Sequence, residues 1–189
     1  MIGLRRHTVA LVAHDPAWAA LFAAEARAIQ SAAGDLVLQV EHVGSTAVPD
    51  LPAKPILDLA IAVRDREALP ELVRRLVAAG YLDRGDAGSD GGYLLVKEAL
   101  PEVRTAHLHL VLSEDPQWQH YLQFRDTLRR DAEVRCRYAR LKRDLAARFP
   151  DDRKRYTRGK HAFIREVLAG RRPPPDAGGG APLSGDGPE

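Results

Sequence analysis

Cysteine is nearly absent from this 189-residue chain: Cys136 stands alone. One cysteine excludes an internal disulfide framework and a zinc site built on thiolates. Long apolar runs are also missing. No window approaches the roughly 18 residues that a membrane helix needs. The N-terminal "MIGLRRHTVALVAHD" has neither an extended apolar core nor a small-residue cleavage site, so no signal peptide is expected and the cytoplasm is the default location. No Gly-x-Ser-x-Gly elbow and no complete phosphate-binding P-loop occur, which argues against a serine hydrolase or an ordinary ATPase. An RNA-binding aromatic signature and a zinc finger are lacking too, and no nucleic-acid partner is expected.

The material present is that of an ordinary globular protein, 45% apolar and 29% charged. Net charge is only +2 but unevenly placed: residues 125–172 hold 17 Lys and Arg against 7 Asp and Glu. Such a segment attracts anions, or simply presents solvated helix faces.

Periodicity and breakers predict a helix from Asp15, strands over 36–43 and 56–63, and an amphipathic helix over 65–81 with Pro70 in its first turn. Residues 83–92 read as a loop. Strands over 93–99 and 103–112 read as a hairpin through Leu100-Pro101-Glu102. Three helices follow, each starting near an aspartate cap. Residues 171–189, rich in Pro and Gly, are expected to be disordered. The expected organisation is one α+β domain over 1–170, a mixed β-sheet packed with helices and a helical C-terminal half.

The stretch "EHVGSTAVPDLPAKPILDLAIAV" (41–63) carries the chemistry. Gly44 lets backbone approach a ligand. Ser45 and Thr46 offer hydroxyl and amide donors to phosphate oxygens, and Lys54 adds positive charge. Asp58 interrupts an apolar strand. A carboxylate there is costly unless paired or coordinated; it would hold a divalent cation bridging phosphates, or else pair with Lys54 or an arginine. In "RTAHLHLVL", His107 and His109 share one strand face. With Asp58, and Glu41 as a further ligand, they could bind a transition metal, contact phosphate, act as a general base, or form hydrogen-bonded parts of a polar groove. Arg104 falls on the opposite face. Arg125, aligned with Trp118 and Leu122, and Lys160, aligned with Tyr156, Phe163 and Val167, interrupt apolar stripes. They either reach toward a phosphate or snorkel to water.

Val43-Gly44-Ser45, twelve residues and then Asp58 resemble the signature of the nucleotidyltransferase superfamily, the DNA polymerase beta-like fold. The longer string 41–61, together with "RTAHLHLVL", "FRDTLRRDAEV", "YARLKRDLAARFPDD" and "YTRGKHAFI", resembles the GrpB family over about Val9 to Leu168. The resemblance implies a nucleotidyltransferase-like fold and nucleotidyl transfer from a nucleoside triphosphate to a small acceptor with Mg²⁺ or Mn²⁺. Gly44 and Ser45 would grip phosphates, Asp58 the metal, and His107 and His109 the acceptor or a second metal. One departure stands out. Members with activity carry a second carboxylate two residues after the first, and here that position is Ala60. GrpB-like domains also occur fused to dephospho-coenzyme A kinases, so the resemblance equally implies a non-catalytic nucleotide- or protein-binding accessory role.

Overall fold

A computed structural model describes residues 2–86 and 92–170. The expected tail, 171–189, and the centre of the expected loop lie outside the described residues. The elements are β1 (Leu4–Arg5), α1 (Ala17–Ala33), β2 (Val37–Val43), β3 (Leu57–Val63), α2 (Leu69–Ala78), β4 (Leu82–Asp86), β5 (Tyr93–Leu100), β6 (Val103–Leu112), α3 (Pro116–Arg130), α4 (Ala132–Arg148), α5 (Arg153–Arg158) and α6 (His161–Leu168). Short 3₁₀ turns cover Gly34–Leu36 and Ser45–Ala47. The fold is α+β, with a mixed sheet and a helical C-terminal half.

The sheet runs β2-β3-β6-β5-β4, with β1 added to the start of β6. β3 pairs antiparallel with β2 and parallel with β6. It is therefore flanked on both sides, and helices cover both faces. That double burial is why β3 reads as an unbroken apolar run rather than an alternating one. On one face Leu57, Leu59 and Ile61 meet Leu108 and Leu110, with Trp18 and Ile29 of α1 and Leu72 and Leu76 of α2 above them. On the other, Val43, Ala60, Ala62 and Val111 meet Trp118 of α3. The α4 residues Val134 and Tyr138 join Val48 and Leu51 of the β2–β3 connection to Val167 of α6. The helical half is thus seated on the segment that carries the Gly-Ser turn.

Helix starts follow the aspartates. The Asp115 carboxylate accepts from Gln117 N, Asp131 from Glu133 N and Val134 N, and Asp152 from Arg155 N. Each such cap contributes about 1 kcal/mol. Two expectations change. Residues 83–86, read as loop, belong to an edge strand, Leu82–Asp86, that pairs with β5 through Leu82↔Val96 and Asp83↔Leu95; sheet pairing overrides the polar composition. The third C-terminal helix is two helices, broken at Gly159-Lys160. Gly159 has no Cβ, and one there would strike the Leu145 side chain, so the chain packs closely on α4 at this point. Among the described residues, no helix is long and apolar enough to cross a membrane.

Candidate functional site

Register places the predicted residues together. Val43 faces Asp58 and Glu41 faces Ala60 across β2–β3; Asp58 faces His107 and Ala60 faces His109 across β3–β6. Side chains at these positions share the face opposite the leucine core. Asp58 Oδ1 lies 3.0 Å from His107 Nδ1 and 3.9 Å from His109 Nε2. The far side of the His107 ring faces Arg153, whose Nη2 is 3.2 Å from Nε2. A guanidinium can only donate, so Nε2 accepts and the ring proton sits on Nδ1, donated to Asp58. Burial holds His107 neutral, with its pKa pushed down to about 4. The Asp58 carboxyl lies well below the usual carboxylate range: burial would raise it, but hydrogen bonds from His107 and His109 outweigh that cost.

Gly44 explains the turn. Its φ is +67°, and a Cβ there would overlap the Asp58 carboxylate and come within 2.8 Å of Asp58 Cβ. The Gly-Ser turn and the aspartate are therefore in direct contact. Thr46 is buried and committed: its hydroxyl donates to the Ile56 carbonyl (3.4 Å) and meets His42 Nε2 at 3.0 Å. Ser45 comes within hydrogen-bonding reach of the Tyr138 hydroxyl.

These groups open onto a cavity of about 800 Å³ between the sheet and α3–α6. That is the size of a site for a nucleotide-sized ligand. Lys54, Lys142, Arg153, Arg158, Lys160 and Arg165 line it, and Asp58 is its only carboxylate among the described residues. Lys142 is 2% exposed. Its ammonium donates to the Pro52 carbonyl and lies 5.4 Å from the centre of the Tyr138 ring. Lys54 and Lys160 both sit over Tyr156, at 5.3 and 4.9 Å. Burial and mutual repulsion push all three ammonium groups down, Lys54 to about 7. Lys142 is buried, Lys54, Arg153 and Lys160 are half-buried, and Arg158 and Arg165 are exposed, so the pocket holds several partly desolvated cations against one carboxylate.

Sequence reasoning brought Gly44, Ser45, Lys54, Asp58, His107, His109 and Lys160 to this cavity. Lys160 reaches it from the α5–α6 turn, ahead of α6, rather than along one helical stripe. Arg125 and Glu41 are placed elsewhere. Arg125 is buried, but it donates to Glu41 (2.6 Å), Asp126 (2.8 Å) and the His42 carbonyl (3.1 Å), and it does not line the cavity. Glu41 thus spends its charge on Arg125. Lys142 and Arg153 were missed. Lys142 follows Tyr138 by four residues, so helical spacing puts it on the buried stripe of α4; the arithmetic was available. Arg153, one cation in a crowded basic segment, carried no such signal.

The donor set does not fit a pair of divalent cations. Ala60 offers a methyl group, Glu41 is held by Arg125, and both ring nitrogens of His107 are engaged. Among the described residues no group of three His, Cys, Asp or Glu side chains is arranged to hold a metal.

The depressed lysines set a pH dependence. Below about pH 7 Lys54 is charged in both folded and unfolded chains, and above 10.5 it is neutral in both. In between, the unfolded chain holds the extra proton, so stability rises with pH. Lys142 and Lys160 act with the same sign. Tyr121, Tyr138 and Tyr156 are pushed upward by burial, so stability falls again above about pH 10. The melting temperature of the free protein is expected to climb from pH 7 to about pH 9. Thermal scans on Lys54→Met should show a shallower climb. An equal slope in the variant would remove Lys54 as a cause.

Comparison with known proteins agrees with this architecture. The family described as "GrpB protein" matches residues 8–170. A UPF0157 protein of Pseudomonas aeruginosa is 40% identical over 156 residues, 82% of this chain and 64% of that protein. A dephospho-CoA kinase of Mycolicibacterium paratuberculosis is 29% identical over 187 residues, 87% of this chain and 46% of the kinase. The chain thus spans about half to two thirds of the length of these curated relatives. The crystal structure of a conserved GrpB protein from Enterococcus faecalis superposes with a TM-score of 0.77 at 34% identity, covering 85% of this chain and 96% of that one. On these matches, the chain belongs to the GrpB family.

Proposed function

We propose that the cavity binds a nucleoside triphosphate and that the protein transfers its nucleotidyl group to a small-molecule acceptor. The observation that carries this reading is the charge imbalance: six cationic side chains around one carboxylate, in a nucleotide-sized cavity behind a Gly-Ser turn. The four that are buried or half-buried, Lys54, Lys142, Arg153 and Lys160, are costly without counter-ions unless a ligand supplies the charge. An oxygen, nitrogen or carboxylate of the acceptor attacks the α-phosphorus, the bond to the β-phosphate oxygen breaks, and pyrophosphate leaves. Such a transition state is loose and asks for positioning and charge stabilisation more than for a strong base. Lys54, Lys142, Lys160 and Arg153 stabilise the phosphate oxygens. Asp58, fixed through His107, accepts a hydrogen bond from the incoming acceptor and takes the proton that a hydroxyl or amine acceptor gives up as its bond to phosphorus forms.

The test is pyrophosphate release from each nucleoside triphosphate, with pooled hydroxyl, amine and carboxylate acceptors. Asp58→Asn keeps an oxygen for the His107 N–H. It should therefore fold and still be stabilised by nucleotide, while release falls by about 10²-fold or more. Release at the wild-type rate in the variant would sink the assignment of Asp58.

A second reading is favoured by Ala60 and by the Arg125–Glu41 pair, which leave one carboxylate where two-metal transfer uses more. On that reading the domain binds nucleotide without turning it over. This suits a role beside a kinase such as the mycobacterial relatives, which are about twice the length of the matched region. Nucleotide-dependent stabilisation with no pyrophosphate release under any acceptor pool would select it. The transition-metal reading of Asp58, His107 and His109 has no comparable support, since the His107 ring is committed on both sides.

A further inference from the structure

Two features of the cavity are in tension with the metal chemistry that the family resemblance implies. The carboxylates that would hold metal are missing or committed, while ammonium and guanidinium groups crowd the same place. We propose that Lys54, Lys142, Lys160 and Arg153 take the place of divalent cations, so that the site accepts a metal-free polyphosphate in preference to its Mg²⁺ complex. The inference rests on reading the cavity as a phosphate site and names the charge state of its ligand.

A two-metal centre holds its ions because several carboxylates outweigh their charge. Here Asp58 faces four cations, and one of its oxygens already accepts from His107. A dication entering with the ligand meets net repulsion, in a site where low dielectric magnifies every charge. Mg²⁺ would also occupy the phosphate oxygens that the side chains need, and it dehydrates reluctantly. The fully ionised polyphosphate meets the opposite situation. Lys142 is buried beside the Tyr138 ring, and the Lys54 and Lys160 ammonium groups both lie within 5.3 Å of the centre of the Tyr156 ring. The Lys142 stem is buried, so little of its rotamer freedom remains to be lost on binding. Arg153 is already oriented by His107. The cluster is preorganised for anionic oxygens.

This separates the ligand's two parts. The cations recognise phosphate, whereas the wall formed by Tyr121, Phe124 and Ile164 is apolar and suits a base or another flat group. An inorganic polyphosphate should therefore bind by the cluster alone, and a nucleotide by both.

Isothermal titration of inorganic tripolyphosphate and of ATP, each in EDTA and in excess MgCl₂, tests this. Binding of both ligands in EDTA, weakened about tenfold or more by Mg²⁺, is the expected result. Lys160→Met should lose about tenfold in EDTA, with its fold confirmed by circular dichroism. Arg148→Gln, on the exposed surface of α4, should lose nothing. Equal losses in both variants would mean a diffuse charge effect and overturn the inference. Tripolyphosphate binding without ATP binding would keep the inference and remove the nucleotide. ATP binding that requires Mg²⁺ would keep the nucleotide and overturn the inference. No binding under any condition would overturn both.

Discussion

Lys142→Met is expected to raise the melting temperature of the free protein while removing most of its affinity for polyphosphate. Methionine matches the length of the lysine stem and its packing under Tyr138. What it removes is a 2%-exposed amine crowded by Lys160 and Lys54. Replacing buried charge by well-packed apolar atoms is commonly neutral or stabilising by about 1–4 kcal/mol. Against that, the Pro52 carbonyl loses its partner, a cost of about 1 kcal/mol. The net gain should be about 2 kcal/mol, or roughly 4–8 °C for a chain of this size. Affinity for tripolyphosphate should fall about a hundredfold. Differential scanning calorimetry with titration on the same sample reads both. A lower melting temperature would mean that the Lys142–Pro52 bond holds the β2–β3 connection in place and that the lysine is structural.

Gly44→Ala should be among the most damaging single changes. The backbone, at φ +67° and ψ −170°, lies in a region essentially reserved for glycine, which costs an alanine about 1–3 kcal/mol. The new methyl also runs into Asp58, and an overpacked site costs typically 1–3 kcal/mol more. A loss of about 3 kcal/mol lowers the melting temperature by roughly 6–12 °C. The second variant in the series is Asp58→Gly, which removes every Asp58 atom the methyl would strike. If the contact is the cause, Gly44→Ala costs less in the Asp58→Gly background than in the wild type. Additive losses would mean that backbone strain alone sets the effect. Since Gly44 and Asp58 are 14 positions apart, such coupling would also establish in solution that the turn and the strand form one unit.

Much of this was open to sequence reasoning, for identifiable reasons. Strand alternation put His107 with His109 and Asp58 opposite the leucines, because a period of two leaves no other choice. Aspartates before basic helices marked three starts. Tertiary context decided the rest. Nothing local to Glu41 or Arg125 says that they are each other's partner across 84 positions. Lys160 looked like one residue in a helical stripe because the run 153–168 reads as one continuous helix, whereas it breaks at Gly159-Lys160. The polar composition of 83–86 hid an edge strand that exists only because β5 offers it hydrogen bonds. The cation cluster is legible only when α4, α5 and the β2–β3 connection are brought to one point.

The β3–β6 register has a consequence for how sequences of this kind can change. Asp58 and His107 meet because two parallel strands are aligned to the residue. Moving either strand by one position would turn its polar side chain into the leucine core and bring a leucine to the cavity. Insertions or deletions within these strands would therefore disturb the site and the core in the same event, and length variation is expected in the loops instead. Lineages that lose the chemistry would have to do so by substitution, keeping the frame. Position 60, alanine in the midst of that frame, is where such a history would be written.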